Sequence, residues 1–156
     1  ELEPMGTGGG LKYTEPHLEG DRVVVVNGDS LLPNLDLPSM LKAHASSGKL
    51  LTIAISPIEE AGNFGTVEFD DQLQLTAFKE KTECKAGWVN GGVYIMEHKV
   101  LDSLPTSTHC SLERDLFPGL ASSHHVGVYR CDPPLLDMGT PEGLQEMEAY
   151  LGNKVP

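Results

Sequence analysis

Apolar positions fall into short blocks whose spacing changes along the chain. Arg22 to Asn27 carries four consecutive valines and closes in Asn27-Gly28-Asp29. An apolar run without alternation predicts a central strand covered on both faces. Leu35 to Ala45 has Leu37, Met40, Leu41 and His44 near helical spacing, with Pro38 in the first turn and Gly48 as a stop. Leu50 to Ser56 predicts a second buried strand. Strand, helix, strand in that order implies a parallel sheet joined by a right-handed crossover.

Beyond residue 60 the pattern shortens. Residues 65–69 and 73–78 flank Asp70-Asp71-Gln72 and predict a β-hairpin. Trp88 to Met96 predicts a strand that holds Asn90-Gly91-Gly92 inside it, and glycines there point to the close approach of a ligand or of neighbouring backbone. Helical segments are expected near His98–Leu104 and Leu112–Ser122, and strands at Val126–Tyr129 and Leu135–Asp137. A closing helix from Pro141 to Leu151 has Thr140 as its N-cap. Residues 1–14 are glycine-rich without periodicity and read as a loop entering a helix near Leu11. With no repeat or linker, residues 1–156 read as one mixed α/β domain.

Composition narrows the function. Apolar residues at 39% and charged residues at 22% describe a chain that can bury a core. The formal net charge of −12 would repel a nucleic-acid backbone or an anionic membrane. No apolar run reaches the roughly 20 residues of a membrane helix, and Glu1 to Pro4 does not resemble a signal peptide. An acidic protein that binds small anions needs local help from a metal, a few lysines or backbone N–H groups. Cys84, Cys110 and Cys131 fit neither a disulfide framework nor a zinc site, so reduced cysteines in a cytoplasmic protein are expected.

Five stretches could carry chemistry. Gly6 to Lys12 fails the Walker spacing because Leu11 intervenes before Lys12, and it fails the dinucleotide fingerprint at the same residue. A flexible end and a backbone laid flat against a base both remain open for it. Asp29 follows a strand at the carboxyl edge where open α/β sheets bind ligands, so it could hold Mg²⁺ or serve as a polar turn residue. Asp137 is placed similarly, and the two could converge on one metal. Lys79 and Lys81 share one strand face, with Glu80 on the other, and either lysine could meet a phosphate. Ser111-Leu112-Glu113-Arg114-Asp115 opens a helix with a hydroxyl cap and early acids.

Taken in order, these pieces resemble the sugar-1-phosphate nucleotidyltransferase family. They are Glu3-Pro4-Met5-Gly6-Thr7-Gly8-Gly9, Val26-Asn27-Gly28-Asp29, Phe64-Gly65-Thr66-Val67, Phe78-Lys79-Glu80-Lys81, Val89-Asn90-Gly91-Gly92-Val93-Tyr94, Ser111 to Asp115, and Asp137-Met138-Gly139-Thr140-Pro141-Glu142. The likeness is greatest to guanylyl- and uridylyltransferases acting on mannose-, heptose- or N-acetylmuramate-1-phosphate. It implies a Rossmann-like α/β fold, with a mixed, mostly parallel central sheet flanked by helices and a β-hairpin in the sugar-binding half. Residues 1–56 would form the nucleotide-binding part and 57–156 the sugar-phosphate part.

Carried over by motif, Pro4, Gly6, Thr7, Gly8 and Gly28 would bind the nucleotide. Asp29 and Asp137 would hold Mg²⁺, and with Lys81 would form the catalytic set. Gly65, Glu80, Asn90, Gly91 and Glu113 would bind the sugar phosphate. The partners implied are a nucleoside triphosphate and a sugar 1-phosphate, with no nucleic acid and no membrane; a homo-oligomer is compatible.

Departures from the family's pattern set the remaining expectations. Its G-G-x-G-T-R-L-x-P loop and following P-K are not found, so an N-terminally incomplete domain with one uncovered sheet edge is expected. By analogy with arginine fingers, losing such phosphate contacts costs about 10³–10⁵ in rate. Gly91 stands where alanine is usual, and Thr82 where a proline often follows the lysine. The alternative is a non-catalytic nucleotide-sugar-binding or regulatory module derived from the same family.

Overall fold

One long strand organises the sheet. In the computed structural model, which describes residues 3–59, 66–79, 86–106 and 108–152, β6 (Gly87–Glu97) is flanked on both edges. Along one edge it pairs antiparallel with β3 (Leu51–Ile58). Along the other it meets two strands in succession: β4 (Thr66–Phe69) near Trp88 and Val89, then β1 (Arg22–Val26) from Val93 to Glu97. Asn90-Gly91-Gly92 therefore lies where β6 changes partners. β5 (Leu75–Lys79) completes the expected hairpin with β4, and β7 (Val126–Arg130) pairs parallel with β3. A separate two-stranded ribbon joins β2 (Ser30–Leu31) to β8 (Leu136–Asp137).

Alternation in these strands fills two layers. Leu51, Ile53 and Ile55 of β3, with Tyr94 and Met96 of β6, face a core closed by Leu101, Leu112 and Phe117. Tyr94 and Phe117 meet with ring centroids 5.1 Å apart, a contact worth about 0.5–1.5 kcal/mol beyond its area. Ala54, Val93 and Ile95 face the opposite layer with Met40 of α2 (Leu37–Ser47). Both faces are covered, so β3 is continuously buried from Leu51 to Ser56, as expected of a buried strand, and this includes the polar Thr52 and Ser56. α2 begins with Asp36 accepting from Ser39 N at 3.0 Å and ends at Gly48, whose φ of +66° suits glycine.

Three expectations need correction. β1 is not covered on both faces: its burial alternates, and Val24 and Val26 are 40% and 59% exposed. Its single partner strand among the described residues is β6, so its other edge is unpaired among them. The sheet is mixed, as expected, but β3 with β7 is its single parallel pairing among the described residues. β1 and β3 do run the same way; β6 enters between them in reverse and takes the hydrogen bonds that a direct parallel pairing would use.

The third correction concerns the glycine-rich start, where α1 spans Gly6–Thr14 and begins well before Leu11. Each glycine costs a helix roughly 0.5–1 kcal/mol relative to alanine. Tertiary contact overrides that preference. A Cβ on Gly8 would lie 3.2 Å from Cys110 O, and one on Gly9 would lie 2.8 Å from Thr108 O. The glycines let α1 lie against the 108–110 backbone. The remaining helices are α3 (Phe117–Ser122), reached through a π-helical turn at Leu112–Leu116, and α4 (Pro141–Gly152).

Candidate functional site

The β2–β8 ribbon brings together two aspartates that are far apart in sequence. Ser30 is in register with Asp137, and Met138 N donates to Asp29 O at 2.8 Å. Ser30 Oγ lies 3.2 Å from both Asp29 Oδ1 and Asp137 Oδ2. A hydroxyl has one proton, so it can serve only one of these carboxylates at a time. Asp137 is held further by Gly139 N, which donates to its Oδ1 at 2.7 Å. The turn then leads into α4, where Thr140 Oγ1 caps Gly143 N at 3.0 Å.

This pair satisfies part of what Mg²⁺ requires. The ion takes one or two carboxylates and completes its octahedron with water and phosphate oxygens. Among the described residues no group of three or more His, Cys, Asp or Glu side chains is arranged to hold a metal. The donor set therefore fits an ion that arrives with phosphates, and does not make a closed protein cage.

Beside Asp29 opens a cleft of about 430 Å³, walled by Val26, Asn27 and Gly28 on one side and by Thr7 and Leu112 on the other. Nothing lies within 4 Å of where a Gly28 Cβ would be, so the protein itself leaves that space free. Thr7 is fixed from two directions: its Oγ1 donates to Glu113 Oε2 and accepts from Leu112 N, each at 2.9 Å. Ser111 Oγ also donates to Glu113 Oε2 at 2.9 Å, and accepts from Arg114 N at 3.3 Å as the helix cap.

Glu113 reaches the sheet as well. Tyr94 OH donates to Glu113 Oε1 at 3.5 Å and accepts from Asn90 Nδ2 at 2.8 Å, while Asn90 Oδ1 accepts from Gly92 N at 3.0 Å. Burial, then the Glu113 charge, pushes the Tyr94 pKa well above the ordinary phenol value, so Tyr94 stays protonated. One network thus joins Thr7, Asn90 and Glu113, which come from three separate stretches of sequence.

The other candidate residues are placed differently. Pro4 is exposed ahead of α1. Gly6 and Gly8 pack against Cys110, with Gly8 N donating to Cys110 O at 2.8 Å, so close backbone packing calls for glycine at both positions. Gly91 is buried, and a Cβ there would lie 2.5 Å from Leu32 Cδ1, so core packing by itself calls for glycine at this position. Gly65, Glu80 and Lys81 lie outside the described residues.

A second cleft, of about 660 Å³, is bounded by Pro57, Ile58, Glu59, Ala86, Trp88 and Leu135. Glu59 and Ala86 adjoin the segments that contain Gly65, Glu80 and Lys81. This cleft is largely apolar, whereas Asp29 and Thr7 line the smaller one. Sequence reasoning missed Ser30 and Tyr94, although both sit beside residues it singled out.

Comparison with known proteins follows the same line. A family model described as nucleotidyl transferase matches residues 1–154. Mannose-1-phosphate guanylyltransferase from Mycobacterium tuberculosis is 34% identical over 145 residues, covering 91% of this chain and 40% of that protein. D-glycero-alpha-D-manno-heptose 1-phosphate guanylyltransferase from Aneurinibacillus thermoaerophilus is 32% identical over 151 residues, covering 97% of this chain and 65% of that protein. The chain thus spans 40% and 65% of these two relatives. HddC from Yersinia pseudotuberculosis, solved with GMP-PN, shares the fold with a TM-score of 0.84 at 24% identity, over 97% of this chain and 64% of that one.

Proposed function

The chain belongs to the nucleotidyl transferase family, and on that footing we propose that its protein joins a sugar 1-phosphate to a nucleoside triphosphate, giving an NDP-sugar and pyrophosphate. Guanylyl transfer onto a mannose- or heptose-type phosphate is the favoured pair, since relatives named for those reactions are 34% and 32% identical. The observation that carries this reading is the β2–β8 pairing, which sets Asp29 and Asp137 on one hydroxyl beside the Gly28 cleft.

A phosphate oxygen of the sugar 1-phosphate attacks the α-phosphorus, a new P–O bond forms, and the bond to pyrophosphate breaks. No general base is needed, because a phosphate monoester is already ionised near neutral pH. Both reactants are anions in an acidic protein, so positioning and charge neutralisation carry the catalysis. Asp29 and Asp137 would hold Mg²⁺, which when bound neutralises phosphate charge. Gly28 gives the nucleotide a close approach to the strand end. Thr7 borders the same cleft, and Pro4, Gly6 and Gly8 act by seating α1 so that Thr7 faces it.

On the sugar side Asn90 and Glu113 offer a donor and an acceptor. Gly65 and Glu80 would join them, and Lys81 would meet the phosphate. The buried thiols of Cys110 and Cys131, both held above the ordinary thiol pKa by burial, suit the reducing cytoplasm.

The test is Mg²⁺-dependent pyrophosphate release by the intact gene product, across four nucleoside triphosphates and a panel of sugar 1-phosphates. Release is expected with GTP and a mannose- or heptose-type phosphate. Asp29→Asn and Asp137→Asn should each lower it by about 100-fold or more, on the scale of one lost electrostatic contact to the transition state. Undiminished release in both variants would remove the metal assignment. A folded protein that binds the substrates without turnover would instead be a nucleotide-sugar-binding module.

A further inference from the structure

Tyr94 is 0% exposed, yet its hydroxyl stands between the two halves of the site. A phenol offers one donor and two acceptor positions. The proton goes to Glu113 Oε1, and the oxygen accepts from Asn90 Nδ2. The polarity is fixed from both ends. Glu113 as a carboxylate can only accept. At the other end Gly92 N–H claims Asn90 Oδ1, which turns the Asn90 amide group toward Tyr94.

The residues around Tyr94 face different parts of the site. Asn27 lines the 430 Å³ cleft, and its side chain lies 3.0 Å from where a Gly92 Cβ would be. Glycine at 92, with φ +73°, leaves room for it. Asn90 sits where β6 passes from β4 to β1, and it has one amide proton left for a ligand. Glu113 Oε2 is already taken by Thr7 and Ser111, which leaves Oε1, the oxygen that Tyr94 addresses at the long distance of 3.5 Å.

We propose that Tyr94 is a positioning residue that orients Asn90 at the sugar side and Glu113, which in turn holds the cleft-lining Thr7, so that binding at one side favours binding at the other. This rests on the reaction proposed above. Tyr94 is fully buried, and it acts only through its partners.

The experiment is Tyr94→Phe in the intact gene product, which keeps the ring contact with Phe117. The expected result is a KM for the sugar 1-phosphate raised about tenfold or more, the scale of a lost hydrogen bond to a charged group. The nucleotide KM should change less, and tighter sugar-phosphate binding in the presence of nucleotide should be lost. In ¹⁵N NMR the side-chain amide resonances of Asn90 should move toward those of free amides. Asn90→Ala tests the same link from the other end, and its effect should be non-additive with Tyr94→Phe.

An active wild type together with a Tyr94→Phe variant of unchanged KM and amide resonances would overturn the assignment of Tyr94 alone. Additive effects in the cycle would do the same. A wild type that turns over no substrate pair would sink the reaction, and with it the place of Tyr94 in that reaction.

Discussion

Replacing Gly91 with alanine separates the two explanations for its lack of a side chain. A Cβ at this position would lie 2.5 Å from Leu32 Cδ1 and 3.1 Å from Ala54 O. Leu32 is itself buried, at 6% exposure, and the second contact is backbone, so neither neighbour yields freely. Overpacking a core by one methyl group costs about 1–3 kcal/mol. Loss of unfolded-state freedom returns about 0.4–1 kcal/mol, since the backbone here is not in the left-handed region.

The net expectation for Gly91→Ala is a destabilisation of about 1–2 kcal/mol. For a chain of this size that corresponds to a melting temperature lower by about 2–8 °C. Urea and thermal unfolding, followed by circular dichroism, would measure it. Leu32→Ala in the same chain removes the closest contact, so the double variant should be more stable than the sum of the two single changes predicts. Wild-type unfolding with a weakened grip on sugar 1-phosphate would refute the packing account and restore Gly91 as a sugar-binding residue.

The remaining expectations concern other links. Ser111→Ala removes the cap on Arg114 N and one donor to Glu113; it should cost about 1 kcal/mol in unfolding free energy and also raise the KM for the sugar phosphate. Gly9→Ala places a methyl group 2.8 Å from Thr108 O and from Met5 Cβ, so α1 should detach or shift, seen as faster amide exchange from residue 6 to 14. His44 is buried between Thr52 Oγ1 at 2.8 Å and Glu97 Oε1 at 3.2 Å, and burial holds its pKa below 6.5. The unfolded chain takes up that proton more readily, so the stability from neutral His44 is complete above about pH 6.5 and falls as pH drops below it. Urea midpoints from pH 8 down to 5 should show that slope, and His44→Gln should flatten it.

Local chemistry by itself determined most of the elements. The segment from Leu50 to Ser56 reads as a buried strand because apolar residues dominate it, with Thr52 and Ser56 its only polar side chains. The hairpin, the Thr140 cap and the Gly48 stop follow from backbone preferences that act over a few residues. The ordered motifs pointed to the family, and Asp29 and Asp137 stood out as aspartates at strand ends.

Long-range pairing decided the rest. The four valines of β1 look alike in sequence, but half of that strand is exposed because its only described neighbour is β6. A helix through four glycines runs against intrinsic propensity, and becomes legible only once Cys110 and Thr108 are seen pressing on it. The reversed strand β6, the shared hydroxyl of Ser30 and the Tyr94 hub each depend on residues distant in sequence. Periodicity reports which face of an element is apolar; which partner covers that face, and which polar atoms then meet, is settled when the strands pair.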